Sequence, residues 1–325
     1  MRLLLHRGAF KRVERELAAL ELPLDLLMVD EKGIWQGDRT IEARSAAPDI
    51  AWVSVDAFIT KQMPLFFEAI LSAGTTRWLQ TFNAGLDLPI FKDILARGIR
   101  LTNSDAQAIP IAEYVVANAL AELHPIRQQR AAQAERKWKT ILFREISQTS
   151  WLIVGYGHIG EEIARRVKPF GARVVGIRRT PKPSQFADQV ATLAELPGLL
   201  PHADVVVLAC ALNDQTRDLA DAGFFAAMKP NSLLVNIARG GVVVEDDLLT
   251  ALSRNAPAVA ILDVFRHEPL PETSQFWTHP QVRVTAHTSA AGSGTVPRGD
   301  KLFLTNLARY AAGEPLINEV NVGSL

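Results

Sequence analysis

The chain has 325 residues, enough for about two domains, and a hydrophobic content of 48% supplies ample core. Thirty-five Lys+Arg against 35 Asp+Glu give a formal net charge of zero, which argues against a general nucleic-acid binder. The lone Cys210 excludes an intrachain disulfide framework and a Cys-based metal cluster. No apolar stretch approaches the roughly 20 residues of a membrane span, so a reducing cytoplasm is the expected setting.

From the N-terminus, strand and helix signals alternate. The apolar run that opens the chain is too short for a signal peptide, and Arg7, Lys11, Arg12 and Glu14 follow at once. Residues 3–6 therefore read as a first strand. A helical stretch follows around 11–20, then apolar runs at 26–29 and 50–55, a helical pattern at 66–73, a strand at 78–82 and a helix at 91–97. This βαβα rhythm predicts a parallel sheet. Residues 54–64 read either as an active-site lid, with Phe58 and Met63 touching substrate, or as an ordinary apolar loop or helix start. Residues 111–123 are apolar on most sides and predict a buried helix.

The second half repeats the rhythm, with strands expected at 151–154, 173–177, 205–209, 233–237, 259–262 and 282–285. Six such strands make a doubly wound nucleotide-binding domain. A last helix is expected over 301–312. After the first of these strands comes Gly155-Tyr156-Gly157-His158-Ile159-Gly160, running into a helical pattern. A strand that turns this tightly into a helix presents backbone N–H groups and the helix's positive end to a pyrophosphate. Eighteen residues past Gly160, the place of the ribose-binding acid is taken by Arg178, followed by Arg179 and Thr180. Guanidinium groups pair bidentately with phosphate oxygens, so NADP is the expected cofactor and NAD the alternative.

Three later strand ends carry polar groups. Val235-Asn236-Ile237-Ala238-Arg239-Gly240-Gly241 sets Arg239 at one carboxyl end, where open α/β sheets place ligands. Glu268 and His287 follow the next two. Hydride transfer to a 2-keto acid needs a cation for the carboxylate and keto oxygen, a proton donor near neutral pH, and a carboxylate to orient it. Arg239, His287 and Glu268 are those groups. No compact metal-ligand spacing is present.

Together these stretches resemble the D-isomer-specific 2-hydroxyacid dehydrogenases, closest in kind to NADP-dependent glyoxylate/hydroxypyruvate reductases. The resemblance extends through Gln80-Thr81-Phe82-Asn83-Ala84-Gly85-Leu86-Asp87, Ile109-Pro110-Ile111-Ala112-Glu113-Tyr114-Val115, Met228-Lys229-Pro230 and residues 263–271 and 306–318. It implies Arg239, Glu268 and His287 as the catalytic set. It also implies that the backbone at Ala84 and Gly85 receives the substrate carboxylate, that Asp263 meets the nicotinamide amide, and that Cys210 and Ala211 line the adenosine side. The implied fold is two Rossmann-like doubly wound parallel-sheet domains. A nucleotide domain, 103–288, is inserted into a discontinuous flavodoxin-like substrate domain, 1–102 plus 289–325. The family is usually homodimeric, with contacts after Ala121, a region that includes Trp138.

Departures from the family pattern are Ala286 and Ala211, where Pro is common, and Arg266, where an acid is usual. Arg266 is expected to bring an extra cation to the Glu268 loop and to affect its charge or substrate choice. Two other readings stay open: a phosphoglycerate dehydrogenase-like NAD enzyme, and a non-catalytic dinucleotide-sensing scaffold resembling the family's corepressors. The three tyrosines lack a lysine four residues on, which disfavours a short-chain dehydrogenase.

Overall fold

The computed structural model describes residues 1–320. The chain separates into two compact units, Met1–Ala106 with the chain from Ser293 onward, and Gln107–Gly292. The breaks follow 106 and 292 instead of 102 and 288. Hydrogen bonds explain the shift. Asn103 N–H donates to Asn318 O, Ser104 N–H to Asn83 O, and Ala106 O accepts from Arg298, which keeps 103–106 with the first unit. Ser289 N–H donates to Asp263 and Gly292 lies against Pro110, which keeps 289–292 with the second.

In the first unit, β1 (Arg2–His6), β2 (Asp25–Asp30), β3 (Gly33–Gln36), β4 (Arg39–Ile41), β5 (Ile50–Val53), β6 (Trp78–Thr81) and β7 (Arg100–Thr102) form one sheet in the order β4-β3-β2-β1-β5-β6-β7. The strands from β2 to β7 along that order are parallel, while β3 and β4 add an antiparallel edge. The helices are α1 (Arg7–Ala18), α2 (Ala43–Ala46), α3 (Val55–Ile59), α4 (Met63–Ser72) and α5 (Pro89–Ala96). Leu4, Ala51 and Leu79 face one core, and Leu3, Leu5, Ile50 and Trp52 face the other, because a parallel sheet is covered on both sides. The 54–64 segment folds as α3 and the start of α4, with Asp56 taking hydrogen bonds from Arg12 and Ser54 at 2.8 Å each.

The second unit opens with α6 (Ala108–Leu123) and α7 (Ile126–Ala134). Its strands are β8 (Ser150–Val154), β9 (Arg173–Ile177), β10 (Gln189–Ala191), β11 (Val205–Leu208), β12 (Leu233–Asn236), β13 (Val259–Leu262) and β14 (Val282–Val284). Its remaining helices are α8 (His158–Val167), α9 (Leu196–Leu199), α10 (Ala222–Ala227) and α11 (Glu245–Leu252). The sheet is parallel throughout, in the order β10-β9-β8-β11-β12-β13-β14. Strand order reverses between β8 and β11, which sets a ligand crevice outside their carboxyl ends. Trp151 and Ile153 point into one core, Leu152 and Val154 into the other.

The chain then returns to the first unit as α12 (Thr295–Ala311). It begins six residues before the expected 301, because Pro297 falls in the first turn, where its missing N–H costs nothing. Phe303 stacks on Trp52 with centroids 4.1 Å apart and on Trp78 at 5.9 Å. Arg12 Nε donates to Asp300 at 2.7 Å, and the buried Asn306 donates to Gln80 and Ile317 O.

Candidate active site

The glycine turn occupies the β8 end of the crevice, and its three glycines differ in what surrounds them. Gly155 sits at φ +101, a left-handed conformation, with its Cα so close to the next strand end that a Cβ would stand 2.3 Å from Cys210 N. Gly157 has no heavy atom within 4 Å of where its Cβ would be, so the approach to α8 is open there. Gly160 packs on β8, where a Cβ would meet Gly155 O at 2.5 Å. His158 begins α8 and is exposed, Ile159 is half-buried, and Tyr156 turns inward. The Tyr156 ring covers Gly176 of β9, and its hydroxyl lies 3.0 Å from Ser184. Tyr156 thus faces the turn through its backbone, while its side chain braces the segment that follows β9.

That segment starts with Arg178, half-buried, and continues with Arg179 and Thr180, both exposed. Across the turn, Cys210 is half-buried and Ala211 exposed. Burial pushes the Cys210 thiol up to about 11, so it stays uncharged at neutral pH.

Three neighbouring strands, β12, β13 and β14, end at the predicted polar groups. Past β12, Ile237 and Ala238 are buried, and Arg239 donates from Nη1 to Ala238 O at 2.8 Å. Gly240 lies against the loop after β13, where a Cβ would come within 1.9 Å of Phe265 C and 2.2 Å of Arg266 N. That loop carries Glu268, which accepts from Phe265 N–H on Oε1 at 2.9 Å. Its Oε2 lies 2.8 Å from His287 Nδ1. A carboxylate only accepts, so Nδ1 carries the proton in this contact and Nε2 is the nitrogen left for a ligand. The Glu268 and His287 side chains are 36% and 47% exposed.

His287 has φ +49, left-handed and uncommon for a non-glycine residue. Its N–H donates to Asp263 O at 2.8 Å. The fully buried Asp263 carboxylate accepts from Thr285 Oγ1 at 2.6 Å and from Thr288 and Ser289 N–H at 2.9 Å each. Its oxygens are therefore committed to the loop that carries His287, a connection the sequence does not disclose.

Arg266 stands in the same loop as Glu268. Its guanidinium pairs with Asp218 and donates from Nε to Val243 O at 2.8 Å, and its N–H donates to Glu245 at 2.9 Å. The cation brought by Arg266 is thus paired with Asp218. In the first unit, Ala84 and Gly85 follow β6 half-buried, and Ala84 O accepts from Asn103 Nδ2 at 2.8 Å. Among the described residues no group of three or more His, Cys, Asp or Glu could hold a metal ion, and no helix is long and apolar enough to cross a membrane.

The model of the family "D-isomer specific 2-hydroxyacid dehydrogenase, NAD binding domain" matches residues 116–289. Glyoxylate reductase/hydroxypyruvate reductase of Homo sapiens is 31% identical over 254 residues, which cover 75% of this chain and 76% of that protein. A crystal structure of a D-isomer specific 2-hydroxyacid dehydrogenase family protein from Aeromonas salmonicida subsp. salmonicida A449 superposes with a TM-score of 0.78 at 30% identity, covering 99% of this chain and 98% of that one. A D-isomer specific 2-hydroxyacid dehydrogenase from Xanthobacter autotrophicus Py2, solved in complex with NADPH and MES, gives the same TM-score and coverage at 26% identity.

Proposed function

The chain belongs to the D-isomer specific 2-hydroxyacid dehydrogenase family, and from that premise we propose that it reduces small 2-keto acids of the glyoxylate and hydroxypyruvate kind, with NADPH preferred over NADH. It is an NAD(P)-dependent oxidoreductase acting on the CH–OH group of 2-hydroxyacids. The observation that carries the mechanistic reading is the 2.8 Å contact of His287 Nδ1 with Glu268, one strand end away from the Arg239 loop.

The turn suits a dinucleotide, since Gly157 leaves open space before the N-terminus of α8 and Gly155 makes the reversal. A dinucleotide held at that turn by its pyrophosphate would supply the hydride for the keto carbon. Arg239 holds the substrate carboxylate and keto oxygen. With Nδ1 occupied by Glu268, His287 delivers its proton from Nε2 to that oxygen as negative charge develops. Glu268 fixes the ring orientation. Resemblance to the family supports the backbone of Ala84 and Gly85, after β6 of the first unit, as an element that receives a substrate carboxylate. Asp263 borders the nicotinamide end and holds the His287 loop, while Ile237, Ala238, Cys210 and Ala211 line the rest of the cofactor path.

Arg178, Arg179 and Thr180, standing where an acid would bind a ribose hydroxyl, support the NADP preference. The exposed apolar side chains of Ile126, Trp138, Leu142 and Phe143 support a homodimer. A single free cysteine suits a reducing cytoplasm.

The test is steady-state oxidation of NADPH and NADH with glyoxylate, hydroxypyruvate, pyruvate and bulkier 2-keto acids. The expected result is highest kcat/KM with glyoxylate and hydroxypyruvate and with NADPH. Clear dinucleotide binding without turnover of any acid would replace this reading with a dinucleotide-sensing scaffold.

A further inference from the structure

Thr285, directly after β14 and two residues before His287, is held from two sides. Its Oγ1 donates to Asp263 Oδ1 at 2.6 Å and lies 2.7 Å from the hydroxyl of Tyr114 on α6. A threonine hydroxyl has one proton, and here it goes to the carboxylate. Tyr114 must therefore donate to Thr285. Burial pushes the Tyr114 phenol up to about 12, so this donor keeps its proton at working pH.

The result is a directed chain, Tyr114 to Thr285 to Asp263. The same carboxylate takes the N–H groups of Thr288 and Ser289, and the same residue's carbonyl takes that of His287. His287 stays left-handed only while this frame holds, because that conformation is unfavourable for an L side chain. We propose that Tyr114 is a positioning residue for His287, acting through Thr285 and Asp263 to keep the imidazole against Glu268. The proposal rests on the reading of His287 as proton donor.

A purely architectural role for Tyr114 is separable. The same helix is tied to β14 a second time, by Arg283 donating to both oxygens of Glu122 at 2.6 and 3.0 Å. Removing one phenol oxygen therefore leaves α6 docked. Without its donor, the Thr285 hydroxyl is free to rotate off Asp263, and the loop loses one part-buried hydrogen bond.

The experiment is a double-mutant cycle with Tyr114→Phe and Thr285→Val, read in kcat, KM for the keto acid, Kd for NADPH and hydrogen exchange of the 287–289 amides. Tyr114→Phe is expected to lower kcat roughly tenfold, as for one lost hydrogen bond, with Kd for NADPH little changed and faster exchange at 287–289. In the Thr285→Val background it should add nothing, since the path is already cut. Thr285→Ser, which keeps the hydroxyl, should stay closer to wild type than Thr285→Val. Additive losses, or unchanged exchange at 287–289 in Tyr114→Phe, would overturn the proposal. If the wild-type protein reduces no 2-keto acid, the reading of His287 fails, and the exchange data alone still decide whether Tyr114 holds the loop.

Discussion

Arg178 leaves the end of β9 half-buried, with its N–H bonded to Ala191 O at 3.0 Å, and Arg179 and Thr180 extend beside it into solvent. A 2′-phosphate is a dianion with three acceptor oxygens, so two guanidinium groups gain charge-assisted hydrogen bonds that a 2′-hydroxyl cannot return. Each is worth about 1.5–3 kcal/mol, which converts to at least tenfold in affinity. Replacing Arg178 by Asp and Arg179 by Ala removes both and sets a carboxylate against the phosphate. The double variant should raise KM for NADPH by at least tenfold and change KM for NADH much less, as measured by steady-state kinetics with each dinucleotide. An unchanged NADPH-to-NADH ratio would end the 2′-phosphate assignment. Tyr156 keeps this comparison clean, because it braces the following segment through Gly176 and Ser184 and both substitutions leave it intact.

The loops after β12 and β13 touch where Gly240 meets the Phe265–Arg266 peptide. A methyl group on Gly240 would overlap that peptide, and backbone atoms cannot swing aside as a flexible side chain can. Phe265 N–H in turn anchors Glu268, so the strain passes directly to the partner of His287. Gly240→Ala is therefore expected to cost about 1–3 kcal/mol of stability, as overpacking does, and to lower kcat by more than tenfold while dinucleotide binding survives. Calorimetry, turnover and NADPH titration check the three parts, and wild-type turnover would show that the loops adjust independently. Much of this element level is legible in the chain: apolar runs ending in glycine turns or polar residues reveal the strands and the crevice rim. The β3 and β4 hairpin is not, because its strands of four and three residues are too short to carry an apolar run or an alternation to detect. Nor is the Tyr114–Thr285–Asp263 connection, which joins residues up to 171 positions apart with no local periodic signal. Arg266 was readable as a cation but not as a paired one, since Asp218 comes to it only through the fold.

At the scale of the molecule, the first unit is closed by a helix that arrives after the whole second unit has been traced. Phe303 of α12 fills the space over Trp52 and Trp78, Leu307 is fully buried beside it, and Tyr310 stacks on Trp78 at 5.2 Å. Burying side chains of this size stabilises by about 1.5–3 kcal/mol each. Losing two of them and exposing two tryptophans costs an amount comparable to the roughly 5–15 kcal/mol that holds a domain folded. The Arg12–Asp300 pair and the Asn306 bonds would go as well. The second unit has no such debt, since its seven strands and both of its cores come from one continuous stretch. A chain cut after Gly292 should therefore lose the first unit and keep the second. Limited proteolysis is expected to digest it to a resistant fragment near 107–292 that still binds NADPH, with turnover abolished and tryptophan emission shifted to the red by Trp52 and Trp78. Protection of residues 1–106 equal to that in the full chain would mean that α12 covers a core already stable without it, and the first unit would then fold from its N-terminal segment alone.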